Sequence, residues 1–331
     1  MIHHPEAEIT MEPLPSDRHR VHVRMLDPDE HVWVDRFETS LPRELVERFL
    51  GVHGPAGLGH ALTRIEEGGD LHRALRFSIL PFVAEEEFRG KRLLDFGCGS
   101  GTSTLHLARM FPDTEIVGLD LVTELLEPAR GLMEHMGVGN VSFVQAKSPD
   151  SLPDDLGTFD FITLNAVYEH LLPGERKLLL PQLWASLRPG GVIFVNQTPY
   201  RWYLLDSHTT RLPFTNYMPD WLALRYARRF AGWKRQRVAR DAEWETLLRA
   251  GIRGATEGEI VRLLAAERSG TPVPLRPRLW GYSGAIDLWY AQSMLRRPMR
   301  IKPVMRVAYK AIARLTGSPF APDVTMAVRK A

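Results

Sequence analysis

The sequence predicts an α/β protein built on a doubly wound, mostly parallel β-sheet. Between residues 92 and 197, short apolar segments alternate with helix-like segments, as they do when each strand reaches its parallel neighbour through a helical crossover. The first apolar segment, residues 92–96, runs directly into a turn that carries three glycines. A second apolar segment, residues 115–120, ends in an acid, Asp120. Because open α/β sheets bind ligands at the carboxyl ends of their strands, these features also locate a binding site.

The glycine turn is the strongest local signal of function. Its pattern is D-x-G-x-G-x-G, in which Asp95 ends the strand and Gly97, Gly99 and Gly101 precede a helix-like segment over residues 103–111. Glycine permits positive φ angles and lets the backbone lie against a ligand, because it has no Cβ atom. The spacing differs from the G-x-G-x-x-G pattern of dinucleotide-binding turns. The turn therefore indicates a nucleotide-type pocket with a ligand other than a dinucleotide.

The segments that follow continue the alternation in a fixed order. Asp120 lies about 20 residues past the turn, where a carboxylate accepts hydrogen bonds from both ribose hydroxyls of a nucleotide. The third, fourth and fifth strands are predicted over residues 141–145, 158–165 and 192–197. The fourth strand leads directly into residues 166–171, at the sheet edge where the ligand is expected.

This ordered set, over roughly residues 90–200, resembles the class I S-adenosylmethionine-dependent methyltransferases, in particular those of the methyltransferase type 11-like group. The resemblance implies a Rossmann-like, doubly wound, mostly parallel sheet of seven strands, with helical N-terminal and C-terminal additions. It also implies S-adenosyl-L-methionine as the cofactor. The family inserts a last strand antiparallel into the sheet, and residues 323–330, which alternate apolar and polar, match that strand. The sequence leaves the sixth strand unplaced.

The resemblance also implies roles for residues at the strand ends. The three glycines would lie against the methionine and ribose portions of the cofactor, Asp95 would orient its amine directly or through water, and Asp120 would bind its ribose. Family members often carry an Asp after the third strand that reaches the adenine, but Lys147 stands near that position here. Adenine recognition is therefore left to Gln145, Ser148 or backbone atoms. The predicted cofactor-binding residues are Asp95, Gly97, Gly99, Gly101, Asp120, Leu121, Gln145, Ala146, Lys147 and Asn165.

Two histidines are candidates for catalysis. Methyl transfer is an in-line displacement at a sulfonium, so the protein mainly aligns the reactants and excludes water. An alcohol acceptor must also lose its proton, and histidine suits that role near neutral pH. His170 follows the fourth strand, and His208 lies in a polar cluster just past the fifth strand. Both are predicted catalytic residues, the alternatives being a structural role for His170 and an ordinary loop position for His208. The histidines predict no metal site.

Composition predicts a globular protein without membrane spans. The chain has 331 residues, of which 44% are hydrophobic and 25% charged, and its formal net charge is +2. No apolar run reaches the length of a bilayer span, and the first residues do not resemble a signal peptide. The single cysteine, Cys98, lies in the glycine turn, which excludes a disulfide within the chain and fits a reducing cytoplasm.

Positive charge is concentrated in two segments. Residues 221–240 and 288–322 contain many arginines and lysines and no acid. A helix with this composition either lies on an anionic membrane surface or packs on its own core with a solvated basic face. The apolar side chains at helical spacing in the first segment are Leu222, Tyr226, Phe230 and Trp233.

The chain is predicted to have four parts. Before the core we expect a short strand at residues 31–34, a helix at 42–50 and a loop at 53–59. After the core we expect helices at residues 283–295 and 304–315. The parts are an N-terminal cap or substrate region (1–88), the Rossmann-like methyltransferase core (89–200), a helical insertion or cap (201–315) and a segment carrying the C-terminal strand (316–331).

The predicted function is O-methylation of a small molecule, a saccharide or a glycolipid. Aromatic side chains beside polar groups after the fifth strand suit the faces of sugars, and the basic segments suit a lipid-linked or phosphorylated acceptor. The alternatives are methylation of a quinone, a polyketide or another secondary metabolite, methylation of RNA, and cofactor binding without catalysis. The protein is expected in the cytoplasm or peripherally at the inner membrane surface, with nucleic acid not expected as a partner. No oligomeric state is predicted.

Overall fold

The computed structural model describes residues 1–28, 30, 32–66, 68–231, 241–278, 282, 284–296, 299–317 and 320–331. Trp233 and the basic residues at 232–240 lie outside the described residues. The strands are β1 (Ile2–His4), β2 (Ala7–Leu14), β3 (Arg18–Met25), β4 (Arg36–Thr39), β5 (Arg92–Phe96), β6 (Glu115–Asp120), β7 (Val141–Gln145), β8 (Phe159–Asn165), β9 (Leu187–Pro199), β10 (Pro272–Pro274) and β11 (Asp323–Lys330).

Helices flank these strands along the described chain, and short 3-10 turns, including one at residues 168–170, join some of the elements. The helices are α1 (Arg43–Thr63), α2 (Asp70–Ile79), α3 (Thr102–Met110), α4 (Thr123–His135), α5 (Pro173–Ser186), α6 (Asp220–Phe230), α7 (Trp244–Arg249), α8 (Glu257–Ala265), α9 (Ala285–Arg296) and α10 (Lys302–Thr316).

The main sheet has seven strands in the order β10-β11-β9-β8-β5-β6-β7. The strands β5 to β9 pair in parallel, whereas β11 pairs antiparallel with β9 and β10 pairs antiparallel with β11. This topology confirms the predicted doubly wound, mostly parallel sheet of seven strands with an antiparallel last strand. It also locates the sixth strand, which is the three-residue edge strand β10.

Burial explains why the core strands read as apolar runs. Leu93, Leu94, Ile162 and Val195 are fully buried, because helices cover both faces of a parallel sheet. The strands keep their register at the carboxyl edge, where Asn165 at the end of β8 lies opposite Asn196 of β9. The ends of β5, β6, β7 and β8 therefore meet at one edge of the sheet.

The N-terminal addition contains a sheet as well as helices. The strands β1 to β4 form a four-stranded antiparallel sheet that packs with α1 against α3 and α4 of the core. Val21 and Val23 point into this core while their neighbours on β3 carry charge, so the alternation of period two was present in the sequence. The strand predicted at residues 31–34 is wrong, because residues 32–34 are not in a strand and residue 31 is not described.

The helix predicted at residues 42–50 extends much further than expected, because α1 continues to Thr63. The predicted loop at residues 53–59 is wrong except at one point. Gly54 has φ +64° and breaks the helix, and Pro55 then begins its second half. Proline suits the first turn of a helix because no backbone N–H is needed there.

Downstream of the main parallel strands, α9, α10 and β11 lie where the sequence predicts them. The boundaries of the four predicted parts stay a prediction. Among the described residues, no helix combines the length and the apolar content needed to cross a bilayer.

Candidate functional site

A cleft with a volume of about 320 Å³ opens at the carboxyl edge of the main sheet. Its walls come from the residues that directly follow β5, β6, β7 and β8, with α5 and α7 completing one side. This is the position at which open α/β sheets bind ligands. The lining residues are Phe96, Gly97, Leu119, Asp120, Leu121, Ala146, Ser148, Pro149, Ser151, Ala166, Val167, His170, Leu171, Glu175, Leu179 and Arg249.

The three glycines of the turn have different surroundings. All three have positive φ, at +74° for Gly97, +53° for Gly99 and +79° for Gly101. A Cβ atom on Gly97 would lie 2.6 Å from a Val167 methyl group, and one on Gly101 would lie 2.9 Å from the Cβ of Ala129. A Cβ atom on Gly99 would meet open space. Two glycines are therefore required by packing, and Gly99 is the one that leaves room beside the turn.

Asp120 is held rigidly at the end of β6. Its Oδ2 accepts the backbone N–H of Gly99 at 2.7 Å, and its Oδ1 accepts the backbone N–H of Val122 at 3.0 Å. Each carboxylate oxygen keeps a further lone pair, and the residue lines the cleft. The turn thus presents a fixed acceptor pair to hydroxyl groups of a ligand, which fits the ribose of the implied cofactor.

Asp95 is a buried residue that joins several elements behind the cleft. The carboxylate is 1% exposed and accepts bonds from the hydroxyls of Ser103 and Thr104, each at 2.8 Å. It also accepts bonds from Thr163 at 3.1 Å and from the Asn165 amide at 3.4 Å. Burial raises the pKa of Asp95, and these four donors oppose that shift. Asp95 fastens β5 to α3 and β8 behind the cleft, and its contact with a cofactor stays a prediction.

The residues predicted near the adenine divide into two groups. Leu121 and Ala146 line the cleft, as does Ser148. Gln145 and Lys147 are exposed and do not belong to its lining. The roles of all these residues in cofactor binding stay predictions, and the lining favours apolar contact with the adenine from Leu121 and Ala146.

The N-terminal addition reaches the glycine turn through a contact that the sequence did not signal. The Nε2 of His53 lies 3.0 Å from the hydroxyl oxygen of Ser100, a turn residue. The His53 ring stacks on Phe49, and its burial lowers its pKa. The kink of α1 at Gly54 directly follows this histidine.

The two predicted catalytic histidines lie side by side, and a buried acid lies next to them. The ring centroids of His170 and His208 are 5.4 Å apart. His170 lines the cleft and places its Nδ1 2.6 Å from the backbone carbonyl of Arg249. Glu169 is fully buried beside them and accepts a bond from the Thr198 hydroxyl at 2.9 Å.

Burial changes the protonation of this cluster. It raises the pKa of Glu169 to about 7, although the hydrogen bond from Thr198 opposes the shift. It also lowers the pKa of His170 and of His208, and the neighbouring imidazole lowers the pKa of His208 further. Both imidazoles are therefore neutral at neutral pH and can offer a lone pair.

Sequence reasoning missed Glu169 and the ion pair between Arg249 and Glu175. The guanidinium of Arg249 binds both carboxylate oxygens of Glu175, at 2.6 and 2.5 Å. The two residues are 74 positions apart, so no local pattern could have joined them. Glu169 directly precedes His170, and an acid in a stretch predicted to face the pocket was the signal available for it.

A family model described as a methyltransferase domain matches residues 93–191. A trans-aconitate 2-methyltransferase from Methylobacterium radiotolerans is 36% identical over 102 residues, which is 31% of this chain and 36% of that protein. A demethylmenaquinone methyltransferase from Lactococcus lactis is 27% identical over 134 residues, covering 40% of this chain and 52% of that protein.

The chain thus spans about a third of the length of the Methylobacterium relative. The match is longer for a trans-aconitate 2-methyltransferase from Azoarcus, which is 30% identical over 211 residues, or 56% of this chain and 79% of that protein. That coverage extends well beyond the glycine turn and agrees with the seven-stranded sheet and the ligand cleft at its carboxyl edge. The chain belongs to the class I S-adenosylmethionine-dependent methyltransferase family.

Proposed function

We propose that the protein transfers a methyl group from S-adenosyl-L-methionine to a hydroxyl oxygen of a small molecule, with a saccharide or glycolipid as the favoured acceptor. The observation that carries this proposal is the pair of imidazoles at the cleft, where His170 belongs to the lining and the His208 ring lies 5.4 Å from it. We also propose that the protein is cytoplasmic and that it acts as an S-adenosylmethionine-dependent methyltransferase.

The cofactor, when bound, supplies a methyl group already activated on a sulfonium. The chain's own residues would hold it: Asp120 would accept the ribose hydroxyls, and Gly99 would leave room for the ligand beside the turn. Leu121 and Ala146 would contact the adenine. Val167 packs against Gly97 and lines the cleft, so it would help to keep the turn in place and water out.

The charge of the cleft favours a neutral acceptor group over a polyanion. Arg249 is the one Arg or Lys among the lining residues in the described part of the chain. Its guanidinium is already bound to both oxygens of Glu175. A polycarboxylate acceptor would need an unpaired cation, so a hydroxyl fits the described lining better.

The imidazoles would act on the proton of the acceptor hydroxyl. The Nδ1 of His170 faces a backbone carbonyl, which only accepts hydrogen bonds, so Nδ1 carries the hydrogen and Nε2 offers its lone pair. His208 lies beside this ring. As the oxygen takes the methyl group and the C–S bond breaks, the proton would pass to the imidazole pair.

Aromatic side chains near His208 in sequence support a saccharide acceptor. Trp202 and Tyr217 are about half exposed, with ring centroids 5.9 Å apart, and the Tyr217 hydroxyl donates to the Trp202 carbonyl. Phe214 between them in sequence is 55% exposed. Exposed aromatic rings with polar neighbours suit the apolar faces and hydroxyl edges of sugars.

We also propose peripheral contact with an anionic membrane. The stripe predicted on α6 is only partly exposed, because Leu222 and Tyr226 are half-buried whereas Phe230 is exposed. The exposed face of α6 combines Trp221 and Phe230 with Arg225, Arg228 and Arg229. On α10, the exposed apolar side chains Val304, Val307 and Leu315 lie along one face. Such faces suit the headgroup boundary of a bilayer.

A second candidate function is methylation of a quinone. It is favoured by the similarity to the demethylmenaquinone methyltransferase. The two candidates differ in the atom that receives the methyl group, because a name of that kind points to a ring carbon and the imidazole pair points to an oxygen.

The test is transfer of a carbon-13 methyl group. The purified protein is incubated with labelled S-adenosylmethionine and an extract that contains the metabolites, lipids and RNA of a strain that lacks its gene. We expect one class of labelled product whose methyl carbon has the chemical shift of an O-methyl group. A label on carbon would support the quinone candidate, and a label in RNA would support an RNA methyltransferase. Cofactor binding without any labelled product would support a non-catalytic protein.

A further inference from the structure

We propose that Glu169, His170 and His208 form a binding site for one divalent transition-metal ion, such as Zn²⁺ or Mn²⁺. Each residue offers one ligand atom, and these three atoms all lie within 4.8 Å of one another. Two imidazole nitrogens and one carboxylate oxygen form a donor set that proteins use for such ions.

The buried carboxylate of Glu169 supplies the first argument. Its side chain is fully buried, and its Oε1 has no hydrogen-bond partner among the residues that the structure describes. That oxygen lies 3.9 Å from the Nε2 of His170, which is too long for a hydrogen bond. Burying a carboxylate oxygen without a hydrogen-bond donor costs free energy unless another group compensates its charge. A cation between Glu169 and the two imidazoles would do so.

The surrounding contacts supply the second argument, because they orient ligands as metal sites do. A metal-binding imidazole commonly donates its other ring N–H to a carbonyl, and a metal-binding carboxylate is itself hydrogen-bonded. Here the Nδ1 of His170 donates to the carbonyl of Arg249 at 2.6 Å, which turns Nε2 toward Glu169. The second oxygen of Glu169 is held by the Thr198 hydroxyl at 2.9 Å.

A glycine permits the cluster to be this compact. Gly251 has φ +95°, and a Cβ atom there would lie 2.6 Å from the His208 ring and 3.2 Å from Cγ of Glu169. The backbone after α7 therefore packs directly against both side chains. This contact helps to fix His208, which comes from a different segment than the other two ligands.

Nearby charges act in both directions, because Arg176 disfavours positive charge at His170 and Arg211 disfavours it at His208. Arg176 lies close enough to donate to the backbone carbonyl of Glu169 at 3.4 Å, but it is paired with Glu259 at 3.2 Å. Arg249 is paired with Glu175. Asp206 lies near His208 and favours positive charge there.

The chemical role of the ion, though not its binding, rests on the proposed methyl transfer. An ion held at this edge of the cleft would bind the acceptor hydroxyl and lower its pKa. With the ion bound, the imidazoles would act as its ligands instead of as the base. The hydroxyl proton would then leave to solvent. The oxygen would form the new C–O bond as the C–S bond of the sulfonium breaks. Two imidazole donors favour Zn²⁺ over Mg²⁺, which prefers oxygen ligands, and the carboxylate donor also suits Mn²⁺.

The test measures ion binding directly and needs no methyl acceptor. The full-length protein is stripped with a chelator and dialysed against Zn²⁺, Mn²⁺ or Mg²⁺, and bound metal is counted per chain. We expect one Zn²⁺ or Mn²⁺ per chain, no tightly bound Mg²⁺, and a rise in Tm with the bound ion. Loaded with Co²⁺, the protein should show the visible absorption bands of a nitrogen-ligated ion.

Variants separate this site from adventitious binding. Glu169→Gln keeps an acceptor for Thr198, so it should fold, and with His208→Ala it should lose the bound ion and the Co²⁺ bands. His135→Ala, which changes an exposed histidine on α4, should bind the ion as the wild type does. Cofactor binding by each variant shows that it is folded. Equal metal binding by Glu169→Gln, His208→Ala and wild type would overturn the site, as would absence of binding to the wild type, and neither result would bear on methyl transfer.

Discussion

The proposed cofactor side and the proposed acceptor side of the cleft are built in different ways. On the cofactor side, Asp120 binds the backbone of a turn residue only 21 positions away, and both belong to adjacent parallel strands and their turns. On the acceptor side, His170 contacts the carbonyl of Arg249 across 79 positions, and Glu169 contacts Thr198 across 29. The difference shows that a local motif specifies the first half, whereas tertiary packing assembles the second.

This comparison predicts that the two halves can be damaged separately. Changes on the acceptor side should reduce turnover and leave cofactor affinity intact. Changes on the cofactor side should reduce affinity, and through it turnover. The predictions below follow that division, from the largest expected effect to the smallest.

His208→Ala should have the largest effect on turnover. We expect the rate at saturating cofactor to fall about 10²–10⁴-fold, because the imidazole pair would no longer handle the acceptor proton. Cofactor affinity, measured by calorimetry, should stay within about twofold of the wild type, a difference of less than about 0.5 kcal/mol. The matched control is His135→Ala on the exposed surface of α4. An unchanged rate would remove His208 from the acceptor site.

Gly99→Val should have the largest effect on cofactor affinity. A valine there would fill the open space beside the turn, and we expect about a 10²-fold loss or more, close to 3 kcal/mol. Gly137→Val is a matched control, because Gly137 also has positive φ and open space but follows α4, whereas the backbone N–H of Gly99 binds Asp120 of the cleft lining. If both variants are folded and bind the cofactor equally well, the turn does not contact the ligand.

Asp120→Ala should weaken cofactor binding by a smaller amount. Loss of the charged acceptor for the ribose hydroxyls should cost about 1–3 kcal/mol, or roughly 5–150-fold in Kd. Glu115→Ala serves as the control, since Glu115 lies at the opposite end of the same strand. Unchanged affinity in a folded Asp120→Ala protein would mean that another residue holds the ribose.

Removal of Arg225 and Arg229 from α6 should have the smallest effect. We expect each Arg→Ala change to weaken binding to vesicles that contain phosphatidylserine by about 1 kcal/mol, as measured by co-sedimentation. Binding to vesicles of phosphatidylcholine alone should be weak for every variant. The control is Arg24→Ala on β3, where the arginine is exposed and paired with Glu8. Equal binding by all proteins would remove α6 from the proposed membrane contact.

The sequence predicted the main sheet and the cleft at its carboxyl edge well for a physical reason. Buried parallel strands, glycine turns and strand-end acids all leave local patterns, and β11 was predicted residue for residue. The edge strand β10 left no such pattern, because it has three residues and two of them are proline. The N-terminal sheet was missed although Val21 and Val23 alternate with polar residues on β3, because the alternation covers only two buried positions of that strand.

The candidate site divides in the same way. Gly97, Asp120, Leu121, Ala146 and His170 line the cleft as their places in the sequence suggested. Which side chains meet across the acceptor side depends on how the segment after β9 folds back. No local pattern fixes that folding, so the contact between the two histidines and the ion pair of Arg249 appeared only in the structure.

The most direct test of the central claim is a calorimetric titration of the wild-type protein with S-adenosylhomocysteine and, separately, with NAD. We expect one molecule of S-adenosylhomocysteine to bind per chain with a Kd in the micromolar range, which is a binding free energy of about −8 kcal/mol. We expect no measurable binding of NAD. Binding of NAD with equal or higher affinity, or no binding of S-adenosylhomocysteine, would contradict the assignment of the glycine turn and Asp120 to this cofactor.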